Sequence, residues 1–447
     1  MTPTRMGRVR LVRGAVLSFR ADPRRVAADA YGFEPKGAVA IGDDGHIAWA
    51  GALAELPVEF ASAPVDDYGE ALVLPGFIDA HIHFPQYRML AAPGRDLLDW
   101  LDRFAYPEEA RYADAAYAGA AAELFLDRLF AHGTTAAAAF CSVHKASAEA
   151  LFAAAERRGM ALIAGKTLMD RNAPATVLDD VETGARDSEA LLRTWHGRGR
   201  LRYAVTPRFA VTSTDAQLAA AGGLCRAYPD VFMQTHLSES RLEIETVRSL
   251  FPWARDYTDV YDRFGLLGPR SLFGHGVHLS ERECARLGEA GSAVVHCPSS
   301  NNFLGSGLFD IDHVGDPRRP VAVGVATDVG GGTSYSLLAT LGDAYKVARL
   351  KGRRLSACDA FYLATRGNAR VLGLDDEIGS LEPGRWADIV VLDPRATPVL
   401  ASRHELSETL EDVLFALMML GDDRAVRATY VAGRRVHVRG GGGGDDG

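Results

Sequence analysis

The stretch that decides the fold is Leu74-Pro75-Gly76-Phe77-Ile78-Asp79-Ala80-His81-Ile82-His83. Proline and glycine mark the start of an apolar run, which predicts a β-strand ending in two histidines. Side chains two residues apart point to the same face of a strand, so His81 and His83 can bind the same ion. A lone His-X-His is a weak signal, and its weight depends on what the rest of the chain offers.

Downstream of this stretch, short apolar runs alternate with Ala- and Leu-rich amphipathic segments, as in repeated βα units. We predict strands at residues 71–82, 134–140, 160–166, 202–206, 231–236, 271–275, 293–296 and 321–328. Helices are predicted at 113–132 and 146–158. So many parallel-type strands indicate an α/β protein with a (β/α)8 TIM-type barrel.

Both ends of the chain carry a different pattern, which predicts sheet without intervening helices. Strands are predicted at 9–19, at 37–50 with a turn at Asp43-Asp44-Gly45, at 387–392, and at 428–438 with a turn at Ala432-Gly433. We therefore expect a small β-sandwich domain built from both ends. Its N-terminal part should span 1–74, the barrel 75–376, the return to the sandwich 377–439, and a disordered Gly/Asp tail 440–447.

The composition is that of an ordinary globular protein, with 47% hydrophobic and 24% charged residues among 447. A net charge of -9 without long runs of like charge argues against a nucleic-acid partner. No apolar run is long enough for a membrane span, and the arginines near the start lack the apolar region of a targeting peptide. Five scattered cysteines without a CxxC pair indicate reduced thiols. We expect a cytoplasmic enzyme acting on a small molecule.

Polar residues that end barrel strands point to a metal site, because the active site of such a barrel lies at the C-terminal ends of its strands. These residues are His81, His83, His236, His275, His296 and Asp328. Catalytic zinc is held by imidazole and carboxylate ligands with one position left for water. We predict one Zn²⁺ per subunit on His81, His83, His236 and Asp328, with His275 hydrogen-bonded to the bound water. His278 and His296 receive no assigned role.

At these residues the sequence resembles the amidohydrolase superfamily and, within it, the guanine deaminase family. The superfamily features are residues 74–83 and Glu377-Ile378-Gly379-Ser380-Leu381-Glu382-Pro383-Gly384, which precedes the apolar run 387–392. The features at the level of the substrate lie in residues 81–86, 205–209, 234–239, 294–301 and 324–332. They occur in the expected order over almost the whole chain, and Thr206-Pro207-Arg208-Phe209 is the most discriminating.

The resemblance implies zinc-dependent hydrolysis of guanine to xanthine and ammonia by a homodimer, with guanine and water as the bound small molecules. The implied catalytic residues are Glu239, Asp328 and His275. The implied substrate contacts are His83, Phe84, Pro85, Gln86, Arg208, Phe209, His236, Glu239 and Asp328. Residues 84 and 85 vary within the family pattern.

A mechanism follows as a hypothesis from these roles. Zinc would lower the pKa of bound water to about 7, and Glu239 would protonate ring nitrogen N3 as hydroxide attacks C2. Asp328 would accept the proton of the water and pass it to the departing amine. The guanidinium of Arg208 suits the O6 carbonyl, and the ring of Phe209 can stack on the purine.

Three alternatives stay open at this point. The same metal ligands could serve a deaminase or dechlorinase of another heterocycle, such as a triazine, cytosine or an aminated pterin. A dinuclear amidase would need a bridging lysine at a strand end, for which Lys166 is a weak candidate. A catalytically inactive scaffold of the same fold would usually have lost metal ligands, and this chain keeps them.

Overall fold

The computed structural model describes residues 9–26 and 29–440, so the predicted disordered tail 440–447 lies outside the described residues except for Gly440. The strands are β1 Val9–Phe19, β2 Tyr31–Gly42, β3 Ile47–Ala52, β4 Val65–Pro75, β5 Phe77–His83, β6 Thr134–Phe140, β7 Ala161–Gly165, β8 Thr167–Leu168, β9 Leu201–Pro207, β10 Phe232–Leu237, β11 Ser271–His275, β12 Ala293–His296, β13 Ala322–Val325, β14 Ile389–Leu392, β15 Val426–Val431 and β16 Arg434–Val438. The helices are α1 Leu97–Trp100, α2 Tyr106–Ala110, α3 Ala115–Ala131, α4 Lys145–Arg158, α5 Val181–Trp195, α6 Asp215–Ala227, α7 Arg241–Leu250, α8 Tyr257–Arg263, α9 Glu281–Ala290, α10 Pro298–Phe303, α11 Ile311–Val314, α12 Leu337–Leu350, α13 Ala357–Tyr362, α14 Asn368–Val371, α15 Pro398–His404 and α16 Leu410–Leu420.

The barrel predicted from the alternating pattern is confirmed. Its parallel strands follow the order β5-β6-β7-β9-β10-β11-β12-β13, and the short β8 pairs with β9. Every residue of β6, Thr-Thr-Ala-Ala-Ala-Ala-Phe, is buried, as expected for a parallel strand covered on both faces. Ala136 and Ala138 pack in a barrel core with Ile78, Ile163 and Val295. Small alanines on this strand leave room for the larger side chains of its neighbours.

The seam between the first and last barrel strands, β5 and β13, is joined by side chains as well as by backbone. Asn368 at the start of α14 donates from Nδ2 to the carbonyls of Ile78 (2.6 Å) and Val325 (2.7 Å) and accepts from the Val325 amide (2.9 Å). Further along, the Asp328 amide donates to the His81 carbonyl over 3.1 Å. These bonds bring the two ends of the barrel sheet together where the metal-ligand candidates lie.

Both ends of the chain form one mixed sheet in the order β16-β15-β14-β4-β1-β2-β3, which confirms the prediction that strands from the two chain ends share a sheet separate from the barrel. β1 and β4 pair in parallel and the other neighbours are antiparallel. Residues from distant strands of this sheet share a core, including Val39 of β2 and Tyr430 of β15. The hydroxyls of Tyr68 and Tyr430 are 2.6 Å apart in its interior.

One predicted strand is corrected by the structure. The run 71–82 is not a single strand, because β4 ends at Pro75 in the small sheet and β5 starts at Phe77 in the barrel. Gly76 lies at the crossing, and a Cβ there would come within 2.2 Å of Oγ1 of Thr135. Only glycine lets the chain pass this close to β6 as it changes sheets. The sequence pattern does not show the change of sheet, because residues on both sides of Gly76 are buried and form one continuous apolar run.

Two further expectations concern membranes and cysteines. Within the described residues, no helix is long and apolar enough to cross a bilayer. The five cysteines are free thiols, and all except the half-buried Cys225 are buried. This agrees with the expected absence of a disulfide framework.

Candidate active site

Side chains from two barrel strands, β5 and β10, and from the loop after β13 converge at the C-terminal end of the barrel. Nε2 of His83 lies 3.1 Å from Nε2 of His236, and Oδ1 of Asp328 lies 3.4 Å from Nε2 of His83. Nε2 of His81 lies 3.5 Å from the same carboxylate oxygen. All four side chains are buried. The structure therefore brings together the four residues predicted to bind zinc.

The protonation of these histidines suits metal binding. Nδ1 of His236 is 2.7 Å from the carbonyl of Arg208, so this nitrogen carries the proton and leaves a lone pair on Nε2. Burial lowers the pKa values of His81, His83 and His236 well below the ordinary range, and neighbouring positive groups add to the effect. Neutral imidazoles with converging lone pairs are the form that binds a metal ion.

Two overlapping groups of donor atoms could hold the ion. One comprises His81, His83 and His236; the other comprises His81, His275, Cys297 and Asp328. Nε2 of His81 is buried without a hydrogen-bond partner among the described residues. Buried polar atoms normally have a partner, and a metal ion would supply one for this nitrogen. The residues present thus fit a metal ion, and imidazole with carboxylate is the donor set that suits catalytic zinc.

A cavity opens beside this group. Its lining includes predicted site residues from several strand ends, namely His83, Gln86, Arg208, Phe209, His236, Glu239, His275 and Asp328. An apolar part of the lining comes from Leu97, Trp100 and Leu101 at the start of a helical segment that runs through α2. An apolar slot with a few convergent polar groups is the usual form of a small-molecule site.

Glu239 and His275 lie at the edge of the metal site. Nε2 of His275 is 3.5 Å from Oε2 of Glu239 and 3.8 Å from Oδ2 of Asp328, so the imidazole lies between the two carboxyls. Nδ1 of His275 is held 2.9 Å from Oδ1 of Asn301. Burial raises the pKa of Glu239 to about 7, although a hydrogen bond from Ser306 opposes the rise. A carboxyl with such a pKa can donate and accept a proton near neutral pH.

Arg208 and Gln86 also line the cavity, and they share a partner that the sequence did not reveal. Nη1 of Arg208 donates to both carboxylate oxygens of Glu109, over 2.8 and 2.7 Å. Nε2 of Gln86 donates to Oε1 of Glu109 over 2.8 Å. Burial would lower the pKa of Arg208, but the neighbouring carboxylate of Glu109 raises it above its ordinary value.

Several residues singled out in the sequence lie outside the cavity wall. The buried ring of Phe84 packs against Tyr112 and Phe125, and Pro85 is buried with it, so only their backbone could reach a ligand. His296 stacks on Phe309 with ring centroids 4.5 Å apart. Lys166 is buried in an ion pair with Asp179 and does not face the cavity.

Three non-glycine residues of the site hold left-handed backbone conformations. The φ angles are 49° at Ser238, 71° at His275 and 50° at Asp328. Such conformations are costly for residues with a Cβ, and they occur preferentially at functional sites where the surroundings impose them. The strain lies directly after β10, at the end of β11 and after β13, so it directs the side chains that follow each strand.

Comparison with known proteins agrees with this geometry. The amidohydrolase family pattern matches residues 72–436. The guanine deaminase of Escherichia coli strain K12 is 48% identical over 375 residues, which cover 84% of this chain and 85% of that protein. The solved structure of E. coli guanine deaminase superimposes with a TM-score of 0.92 at 45% identity, covering 96% of this chain and all of the other. Guanine deaminase from C. acetobutylicum, solved with guanine bound in the active site, gives a TM-score of 0.86 at 28% identity, with 96% and 100% coverage.

The fold and the site therefore define a barrel hydrolase, and the chain belongs to the amidohydrolase family. Within that family its similarity is to the guanine deaminases, over most of both chains. The resemblance to the amidohydrolase superfamily and to its guanine deaminases, inferred from the sequence, is thus confirmed.

Proposed function

We propose that this protein deaminates guanine hydrolytically to xanthine and ammonia. The observation that carries the proposal is one cavity lined by two carboxyl groups, Glu239 and Asp328, and by the side chains of Arg208 and Gln86. The carboxyl groups suit proton transfer, and the guanidinium and amide groups suit the hydrogen-bonding edge of an oxopurine. The similarity to guanine deaminases over most of the chain selects guanine among such rings.

One Zn²⁺ per chain is part of the proposal, held by His81, His83, His236 and Asp328. When bound, zinc acidifies water and so supplies a nucleophile at neutral pH. The donor set has no thiolate, unlike structural zinc sites, and this favours a catalytic role.

The substrate-binding residues orient the ring. Arg208 donates to O6, the side-chain amide of Gln86 bonds along the same edge, and the ring of Phe209 contacts the purine face. Leu97 and Trp100 add apolar surface to the cavity lining and exclude water there. The exocyclic amine at C2 is thereby turned towards Glu239 and Asp328.

Proton transfers by the two carboxyls complete the reaction. Glu239 gives its proton to N3 as the oxygen of water bonds to C2, and Asp328 takes one proton from that water. Asp328 then protonates the amine, and the C2–N bond breaks to release ammonia. The remaining hydroxyl proton returns to Glu239, so xanthine leaves and both carboxyls regain their starting states. His275, between the two carboxyls, hydrogen-bonds the attacking water.

The test is ultraviolet-monitored turnover of guanine by the zinc-loaded protein, with adenine, cytosine and ammeline as competing substrates. We expect xanthine formation that a chelator abolishes and added zinc restores. Turnover of another ring with no action on guanine would contradict the proposed substrate and leave the family assignment intact.

The proposal extends to assembly and location. We propose a cytoplasmic homodimer, since symmetric dimers are the commonest soluble oligomers and the guanine deaminase resemblance implies one. Sedimentation equilibrium should give twice the 48.0 kDa mass of the chain. We also propose 75–376 as the barrel domain, with 1–74 and 377–439 forming the small domain.

A further inference from the structure

Glu109 occupies a position behind the cavity wall that no part of the proposed reaction uses. It lies on α2 and is only 1% exposed. It does not line the cavity, yet its carboxylate contacts two side chains that do, Arg208 and Gln86. A buried carboxylate is expensive unless it is paired, so its presence calls for a role that an apolar residue would not fill.

The contacts join two separate parts of the barrel rim. Gln86 follows β5 and Arg208 follows β9, so no local structure holds them together. Oε1 of Gln86 accepts a 3.2 Å hydrogen bond from the amide of Gly330, while its Nε2 donates to Glu109. The amide group is therefore held at both ends. With one carboxylate between them, Gln86 and Arg208 keep a fixed spacing before any substrate arrives.

Glu109 also neutralises the charge of the Arg208 guanidinium. The Arg208 guanidinium is buried and lines the same cavity as His83, His236 and Asp328. Glu109 is the carboxylate in direct contact with that guanidinium. The pair as a whole is neutral, which matches a neutral oxopurine better than a bare buried cation would.

We propose that Glu109 is a positioning residue that sets substrate specificity by holding Arg208 and Gln86 in the arrangement that recognises the carbonyl edge of an oxopurine. This inference rests on the proposed function. Glu109 acts through the other two side chains and does not touch the substrate. Its helical segment also supplies Leu97, Trp100 and Leu101 to the wall, so the same anchor fixes both the polar edge and the apolar face.

The test compares guanine with 2-aminopurine, which keeps the reactive amine and lacks the 6-oxygen. In Glu109→Gln we expect kcat/KM for guanine to fall about a hundredfold, mainly through KM, because a small misplacement of a binding group has effects of this size. The value for 2-aminopurine should change less than about threefold, since Arg208 has no carbonyl to bind there. Glu109→Asp should restore part of the guanine preference.

The matched control is Glu108→Gln. Glu108 is the adjacent residue on α2, and its carboxylate contacts Tyr117 and Arg111 instead of the cavity residues. This variant should keep the preference for guanine. The double variant Arg208→Met with Glu109→Gln removes both buried charges together. Its preference for guanine over 2-aminopurine should be no lower than that of Arg208→Met alone.

The equilibrium affinity for xanthine provides a second readout that needs no turnover, and it should weaken in Glu109→Gln and stay unchanged in Glu108→Gln. The inference would be overturned if the ratio of kcat/KM for guanine to kcat/KM for 2-aminopurine were unchanged in Glu109→Gln, as it would be after an equal loss on both substrates. Absence of guanine turnover by the wild-type protein would instead overturn the proposed function and this inference with it. Wild-type turnover with an unaltered Glu109→Gln ratio would overturn the inference alone.

Discussion

Ser306 donates a 2.9 Å hydrogen bond from its hydroxyl to Oε1 of Glu239, and both side chains are buried. Ser306 is itself held through its carbonyl, which lies 2.8 Å from Nε2 of His278. From the other side, the backbone amide of Glu239 donates to Oε2 of Glu243 over 2.7 Å, within the capping box that starts α7. Both the carboxyl and the backbone of Glu239, the residue proposed to protonate N3, are thus held by hydrogen bonds.

Replacing Ser306 by alanine should lower kcat about tenfold and leave KM for guanine nearly unchanged. A hydrogen bond to a carboxyl group is worth on the order of 1.5 kcal/mol, and its loss lets the carboxyl leave the reactive position. Ser306→Thr keeps the hydroxyl and should recover part of the rate. Steady-state kinetics on guanine measures both effects, with the exposed Ser249→Ala as control. A wild-type kcat in Ser306→Ala would contradict the positioning role.

Glu239→Gln should lose turnover by a factor of roughly a hundred or more, because glutamine cannot donate a proton to N3. Its shape and its bond to Ser306 are preserved, so zinc content and thermal stability should match the wild type. Glu245→Gln changes an exposed glutamate on α7 and should be fully active. Activity of Glu239→Gln close to that of the wild type would show that another group supplies the proton.

The residues of this site differ in how well the sequence alone predicts them. His81, His83, His236 and His275 end apolar runs, and the barrel rule places such residues on one rim. Phe209 and Arg208 were found only through resemblance to a family. The sequence also predicted the small domain, since hairpin turns such as Asp43-Asp44-Gly45 are local.

Glu109 and Ser306 show what the sequence could not predict. Glu109 lies in Pro107-Glu108-Glu109, which looks like the acidic first turn of an exposed helix, and its partner Arg208 is 99 residues away. Ser306 stands between two glycines in a loop, where a serine normally faces solvent. Their roles come from tertiary contacts alone. The change of sheet at Gly76 escaped prediction for the same reason, because its cause is Thr135 on a neighbouring strand.

The barrel seam gives a prediction about stability. Asn368→Ala would remove three buried hydrogen bonds and leave the backbone groups of Ile78 and Val325 without those partners. We expect the free energy of unfolding to fall by about 3–5 kcal/mol, since each unsatisfied buried group costs about 1–3 kcal/mol. Urea unfolding measures the change, and the exposed Asn302→Ala should leave the midpoint unaltered. An unshifted midpoint in Asn368→Ala would mean that the seam is held by other contacts.

A pH effect on stability should arise from Glu243. Burial raises the pKa of its carboxyl from 4.5 to about 7, and the charge of Glu239 adds to the rise. The folded state therefore keeps a proton that the unfolded state releases above its lower pKa. This contribution to stability is complete below about pH 4.5 and is lost as the pH rises towards 7.

Glu243→Gln tests the sign of this effect. Glutamine can keep the capping box but cannot ionise, so the free energy of unfolding should fall less between pH 4.5 and 7 than in the wild type. Unfolding by urea at several pH values measures the slopes, and the exposed Glu245→Gln should retain the wild-type slope. Equal slopes in Glu243→Gln and the wild type would refute the assignment of this titration to Glu243.

The two donor groups that share His81 lead to opposite expectations for metal binding. If the ion lies with His83 and His236, His83→Asn should lose most of its zinc, while Cys297→Ser should keep about one equivalent and remain active. We expect this outcome because Sγ of Cys297 donates to the carbonyl of Val295 over 3.5 Å, and burial raises the pKa of the thiol well above its usual range. The thiolate that would bind a metal is therefore disfavoured.

Elemental analysis of the purified variants measures the zinc, and thermal unfolding with and without a chelator provides an independent readout. An ion that binds only the folded state raises its stability, so chelation should lower the melting temperature of the wild type and of Cys297→Ser alike. In His83→Asn the chelator should have little further effect, since the bound ion is already lost. Zinc lost from Cys297→Ser and retained by His83→Asn would place the ion in the other group, with Cys297 as a ligand.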